Sequence, residues 1–386
     1  MSYCNTDKDT STSSTINSIT SSPSLSSLSS TSSVVVGPIS NHHGKDEKFE
    51  EYQQTLNEIC QGMYKARCLN MVTELNIAAM LTDGQKYSCD ELAEQVGVDA
   101  KSLFKVMRAL STMGIFNHHT DGLESVDSHL FSQSPISKML LDTDTRNLLL
   151  YECGDFSYKS WLNIGDTVKT GVSSIPKSFG ADSFIGALHK NQKDLNIFEK
   201  GMTGMTRPGI PKLLQQSDFS KFDIVADIGG CQGVLIQEIL KYNKNIKKGI
   251  NFDLPITIEN NRLHLDRVNV DPRFIEIEGS FFEQVPQADC YILSKIMMDD
   301  EPSKKILEII RQSIKPNGKV YIYDCILEKE SQNYSYKCWV DVHLWHSLNS
   351  SGRTIREWRE LAKSAGFKVD QFIGESLIVM SKLISD

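Results

Sequence analysis

A chain of 386 residues, 40% of them hydrophobic, is long enough to bury a substantial core and to form two or three domains. Its 41 Lys and Arg against 49 Asp and Glu give a formal charge of -8, which argues against a nucleic-acid or anionic-membrane partner. No apolar run is long enough to span a bilayer, no basic stretch leads into an apolar core at the N-terminus, and the nine cysteines contain no C-x-x-C pair, so reduced thiols in a cytoplasmic protein without a metal site are expected.

Residues 1–45 are dominated by Ser and Thr and carry too few apolar side chains to offset the entropy of folding. A disordered tail is expected, with Val34, Val35 and Val36 the one place where it could dock as a strand. Residues 46–150 read as helical: Tyr52, Leu56, Ile59 and Met63 recur at helical spacing, and residues 66–81 are apolar enough to be mostly buried. Two more helices, carrying Leu92, Ala93 and Val96, then Leu103, Val106, Met107 and Leu110, lead into a small β wing around residues 123–126. That is a winged-helix outline with two uses: a recognition helix presenting Lys101, Lys105 and Arg108 to DNA, or a dimerisation element. The weakly basic surroundings favour dimerisation.

Residues 151–220 form a helical segment with a stripe of Phe156, Tyr158, Trp161, Phe179, Phe184, Phe198, Met202 and Met205. Such a stripe either packs as core or walls a pocket for a flat apolar ligand. From 221 to 386 strands alternate with helices. Strands are expected at 224–227, 248–253, 274–279, 290–294, 320–324, 368–372 and 376–381, and helices at 234–242, 258–266, 303–314 and 355–365. The alternation implies an α/β fold with a doubly wound sheet and a ligand at the carboxyl ends of its strands.

Asp227-Ile228-Gly229-Gly230-Cys231-Gln232-Gly233 joins the first of these strands to its helix, a turn that lets a nucleotide-like ligand lie against bare backbone. The next strand ends in Gly249-Ile250-Asn251-Phe252-Asp253-Leu254-Pro255 and delivers a carboxylate that can accept from both hydroxyls of a ribose. The dinucleotide fingerprint fails on spacing, because Cys231 and Val234 stand where it needs glycine, and no Gly-Lys-Ser/Thr follows to make a P-loop. An adenosine-type cofactor without a pyrophosphate remains, and S-adenosylmethionine fits.

With Lys315-Pro316-Asn317-Gly318-Lys319-Val320, Gly352-Arg353-Thr354 and Leu361-Ala362-Lys363-Ser364-Ala365-Gly366-Phe367 added in order, the chain from Glu47 onward resembles the plant caffeate and acetylserotonin type of class I S-adenosylmethionine-dependent O-methyltransferases. The resemblance implies a Rossmann-like methyltransferase domain, an N-terminal winged-helix dimerisation domain, a homodimer, and a small aromatic hydroxyl compound as methyl acceptor. It also implies that Gly229 meets the cofactor's amino-acid end and Asp253 its ribose, with Ser280 and Phe281 at the adenine and Lys295 near the cofactor. Ser280 stands where the family has a carboxylate, and Ile296 where a tryptophan follows the lysine; Lys295 has the alternative of a solvated strand-end residue. Phe198, Met202 and Met205 become candidates for the substrate wall.

The family's catalytic positions are all altered here. Asp299 stands at the histidine that takes the acceptor's proton, Asp324 at the first orienting glutamate and Gly352 at the second. Asp299 is expected to serve as base for an unusually acidic hydroxyl, its pKa raised by burial beside Ile296, Met297 and Met298 and by Asp300. His343 and His346 are alternative sources of an imidazole, and a magnesium site at Asp299 and Asp300 is not expected. Three readings stay open: an O-methyltransferase, a cofactor-binding but silent dimer partner or sensor, and a winged-helix DNA regulator.

Overall fold

The computed structural model describes residues 47–120, 129–264, 270–297 and 299–383. The expected tail, its three valines, the tip of the wing at 123–126 and Met298 lie outside the described residues. Residues 47–58 are the first turns of helix α1 (Glu47–Glu74), and they carry Phe49, Tyr52 and Leu56 exposed. The rest of the chain, Ile59–Asp386, is one compact unit.

After α1 come α2 (Ile77–Met80), β1 (Tyr87–Ser88), α3 (Cys89–Val96), α4 (Ala100–Ser111), β2 (Phe116–Thr120) and β3 (His129–Gln133). Sequence sets the helix starts. Ser88 and Glu91 cap α3 reciprocally, and Asp99 Oδ1 accepts from Ser102 N at 2.8 Å to open α4. Leu92, Leu103, Met107 and Leu110 meet Phe131 in one core, and β3 lies between β1 and β2 in an antiparallel sheet. The helix-helix-hairpin order is the winged-helix outline expected.

Helices α5 (Pro135–Met139), α6 (Thr143–Glu152), α7 (Asp155–Trp161), α8 (Ile164–Thr170), α9 (Ile175–Phe179) and α10 (Phe184–Leu188) lead to α11 (Gln192–Thr206) and α12 (Ile210–Gln216). A seven-stranded sheet follows, in the order β6 (Phe274–Glu278), β5 (Lys248–Asp253), β4 (Ile224–Ile228), β7 (Ala288–Ser294), β8 (Ile314–Tyr323), β10 (Leu377–Lys382), β9 (Phe367–Ile373). Six strands run in one direction, and β10 alone is reversed, antiparallel to both its neighbours. Helices α13 (Val234–Tyr242), α14 (Pro255–His264), α15 (Asp300–Ser313), α16 (Tyr334–Leu348) and α17 (Ile355–Ser364) connect them.

Alternation along the strands feeds two cores. Ala226, Ile228, Tyr291 and Leu293 face one cluster, while Val225, Cys290 and Ile292 face the other, so the central strands are apolar on both sides, as a covered parallel sheet requires. The strand order reverses at β4, with β5 on one side and β7 on the other, and a ligand crevice forms at the carboxyl end of such a switch point. Ile292 is fully buried in the middle strand. Ile292→Ala is expected to cost about 2–5 kcal/mol, read as a lower urea midpoint at unchanged slope.

Candidate active site

At the switch point β4 turns into α13 through residues 229–233. Gly229 has φ 68°, and a Cβ there would lie 2.9 Å from Ile296 Cγ2 and 3.6 Å from the Phe281 ring. At Gly230 a Cβ would meet Asn251 Oδ1 at 2.3 Å and Asp227 Oδ2 at 2.8 Å. Bare backbone is therefore required on both sides of the turn. Cys231, where a third glycine is usual, also takes a positive φ of 51°. Its N–H donates to Asp253 Oδ2 at 2.8 Å, and its carbonyl accepts from Asn251 Nδ2 at 3.0 Å and Asn261 Nδ2 at 2.7 Å. Across the turn, Thr203 Oγ1 of α11 donates to Gln232 Oε1 at 2.7 Å.

The structure thus gathers Gly229, Asp253 and Phe281 at one crevice. Asp253 Oδ1 accepts from Leu254 N at 2.7 Å, and burial raises its pKa against these backbone bonds. Ser280 Oγ accepts from Phe282 N at 3.2 Å, closing the turn that presents Phe281. Among the described residues, four buried acceptor oxygens beside the turn have no donor: Glu199 Oε1, Asp227 Oδ1, Asn251 Oδ1 and Asn261 Oδ1. A ligand carrying ribose hydroxyls and an ammonium group supplies the missing donors, so these residues fit S-adenosylmethionine.

Beyond β7 lies the expected catalytic end. Lys295 has φ 57° and donates from Nζ to Met205 O at 3.3 Å; burial pulls its pKa down to about 8 against the charge of Asp324. Burial pushes Asp324 up to about 6, opposed by the Cys325 N–H at 2.6 Å and by the charges of Arg353 and Lys295. Between these values Asp324 is ionised and Lys295 protonated near neutral pH.

Asp299 differs from expectation. It stands at the N-cap position of α15 without a side-chain bond to the helix, exposed, and accepts from Ser351 Oγ at 3.3 Å. The apolar neighbours Ile296 and Met297 do not cover it, because the helix start turns its side chain outward, so the expected burial is absent. Asp300 pairs instead with Arg353 Nε at 3.0 Å. His346 is buried with both ring nitrogens engaged, Nδ1 with Thr167 Oγ1 at 3.0 Å and Nε2 with Ser160 O at 2.8 Å, which makes it structural. His343, one turn earlier, accepts from Ser347 Oγ at 2.6 Å through its backbone carbonyl, its ring lies beside Trp161, and burial followed by His346 lowers its pKa. At Gly352 the N–H donates to Asp341 Oδ1 at 2.5 Å, so α16 brings a carboxylate where the glycine has none.

Of the expected substrate wall, Met202 and Met205 are partly exposed on α11, whereas Phe198 packs edge-on against Tyr151 and Phe184 at 5.3 and 5.7 Å. Sequence reasoning missed Asn251, Asn261, Glu199 and Asp341. Asn251 was detectable as a lone amide inside an apolar strand, and Glu199 as a carboxylate four residues from Leu195 on the buried face of α11.

A doubly wound sheet with a glycine turn after β4, an acid at the tip of β5 and unpaired acceptors between them defines a nucleoside-cofactor protein of the methyltransferase class. The chain belongs to the S-adenosylmethionine-dependent O-methyltransferase family: residues 161–368 match the O-methyltransferase domain and residues 57–143 the O-methyltransferase dimerisation domain. It is 32% identical to O-methyltransferase 9 of Dictyostelium discoideum, over 88% of this chain and 94% of that one. A second relative from the same organism, probable inactive O-methyltransferase 11, is 30% identical over 83% and 95%. Among solved structures, mitomycin 7-O-methyltransferase is similar with a TM-score of 0.77 at 25% identity, covering 86% of this chain and 98% of its own.

The buried acids make stability depend on pH. Burial, then Asp253, raises Asp227 from 3.8 to about 8, so the stability carried by its protonated form is complete below about pH 4 and is lost as pH rises towards 8. Glu199 and Asp324 act in the same sense, up to about 7 and about 6. Asp227→Asn, neutral throughout, is expected to lose less stability than wild type between pH 4 and 8. A series of urea midpoints tests this, and parallel curves would refute it.

Proposed function

We propose that the protein transfers a methyl group from S-adenosylmethionine to the hydroxyl of a small aromatic acceptor, working as a homodimer of the caffeate and acetylserotonin kind. The observation that carries this reading is the cradle of unpaired acceptors between the glycine turn and Asp253, next to the partly exposed Met202 and Met205. S-adenosylmethionine, when bound, supplies an electrophilic methyl carbon on a sulfonium. Asp253 takes the ribose, Gly229 leaves room for the aminoacyl end, Ser280 and Phe281 border the adenine, and Lys295 closes the far side through Met205. The dimerisation-domain match supports the homodimer.

The chain's task is to hold the acceptor oxygen in line with the methyl carbon and to receive one proton. Positioning supplies most of the rate. Asp299 stands at the base position, held by Ser351 Oγ, and Asp324 is the charged partner that keeps Lys295 in place. An exposed carboxylate is a weak base, which suits an acidic phenol. His343 is the second source of a base, favoured by its neutral and unbonded ring.

Labelled cofactor and a panel of phenols of graded acidity test both points. With an active acceptor, Asp299→Asn is expected to lower kcat at least tenfold, and the loss to shrink as the phenol becomes more acidic. An unchanged kcat in Asp299→Asn with a large loss in His343→Asn would move the base to the imidazole. The silent reading is favoured by the probable inactive relative and by Gly352. Tight cofactor binding with no turnover on any acceptor would establish it.

A further inference from the structure

Helix α11 carries a carboxylate that no contact of the fold satisfies. Glu199 is 2% exposed; its Oε2 accepts from Asn260 Nδ2, and its Oε1 has no donor. Its backbone carbonyl lies 3.9 Å from the Cys231 thiol, and Thr203, one turn on, ties the helix to Gln232. Helix α11 therefore places Glu199 beside the glycine turn.

The groups facing it are acidic or neutral. Asp253 stands at the tip of β5 and adds its negative charge, α14 contributes the Asn260 amide, and the turn contributes the Cys231 thiol. From α6 the neighbour of α11 is the Tyr151 ring, packed on Phe198, and the charge of His189 after α10 acts on Asp253. Burial pushes Glu199 up to about 7, Asn260 working against the shift and Asp253 with it. No cation pairs with Glu199 among the described residues. Ribose hydroxyls can serve Asp253, but they bring no positive charge to a cradle holding three acids, Glu199, Asp227 and Asp253. A cation between the acids satisfies both the free oxygen and the charge.

We infer that Glu199 is a cofactor-binding residue whose free Oε1 accepts a hydrogen bond from the α-ammonium of the cofactor, holding its aminoacyl end between α11 and the glycine turn. The inference rests on the S-adenosylmethionine reading and adds a binding contact to it. Glu199 then selects ligands by the amino-acid part, while Asp253 selects by the ribose.

The test uses the full chain, calorimetric titration and two ligands: S-adenosylhomocysteine, and 5′-methylthioadenosine, which keeps the adenosine and thioether but lacks the aminoacyl group. Glu199→Gln is expected to weaken S-adenosylhomocysteine at least tenfold and to leave 5′-methylthioadenosine within twofold. Glu199→Asp, which keeps the charge on a shorter arm, is expected to fall between wild type and Glu199→Gln, and it stands in should Glu199→Gln not fold. Unchanged affinity for S-adenosylhomocysteine, or an equal loss for both ligands, overturns the assignment. A wild-type protein that binds neither ligand overturns the cofactor reading itself.

Discussion

The hydrogen bond from Cys231 N to Asp253 Oδ2 is the constraint on which the site depends. It closes the glycine turn onto the neighbouring strand tip, and the ladder prepares it: Ile228 pairs with Phe252, and Gly229 N continues the pattern by donating to Phe252 O at 2.8 Å. The register that places Asp227 opposite Asn251 brings both side chains under Gly230, where no other residue fits. Each buried acceptor left without a donor costs about 1–3 kcal/mol. Four such oxygens lie around this one turn among the described residues. A donor-rich ligand that reaches any of them would lower this cost and so stabilise the fold on binding.

The other side of the crevice works by charge. Burial pulls Lys295 down to about 8 and pushes Asp324 up to about 6, both towards neutrality, yet their order is preserved. At neutral pH the pair stays ionised, with Arg353 and the Cys325 N–H helping the carboxylate. Lys295 can then fix the end of α11 through Met205 O, tying the end of β7 to that helix.

All seven strands of the large sheet were legible in the sequence, because buried parallel strands leave short apolar runs bounded by turn residues and helices between them. The turn at Gly229 and the acid at Asp253 were legible for the same reason: local chain geometry dictates them. What local sequence does not carry is the direction of a side chain whose partners are distant. Asp299 follows apolar residues yet stands at the N-cap position of a helix and faces water. His343 and His346 share one helix, and only contacts from Thr167 and Ser160, more than 170 residues earlier, make the second structural. Glu199 meets Asn260 across 61 residues, and Asp341 reaches Gly352 through a fold that no spacing encodes.

Exposure of Asp299 bears on what the protein can methylate. Between model compounds, a carboxylic acid of about 3.9 lies about six pKa units below a phenol of about 10, a proton-transfer cost of about 8 kcal/mol, and an imidazole of about 6.5 leaves about 5 kcal/mol. Positioning of acceptor and methyl group is worth about 7–11 kcal/mol and is available whichever base is present. Under the proposed function, positioning of acceptor and methyl group therefore outweighs the choice of base. Each unit by which the acceptor is more acidic than a simple phenol recovers about 1.4 kcal/mol of the proton-transfer cost. Under the proposed function, with Asp299 at the base position, electron-poor hydroxyls are the acceptors for which the absence of an imidazole costs least.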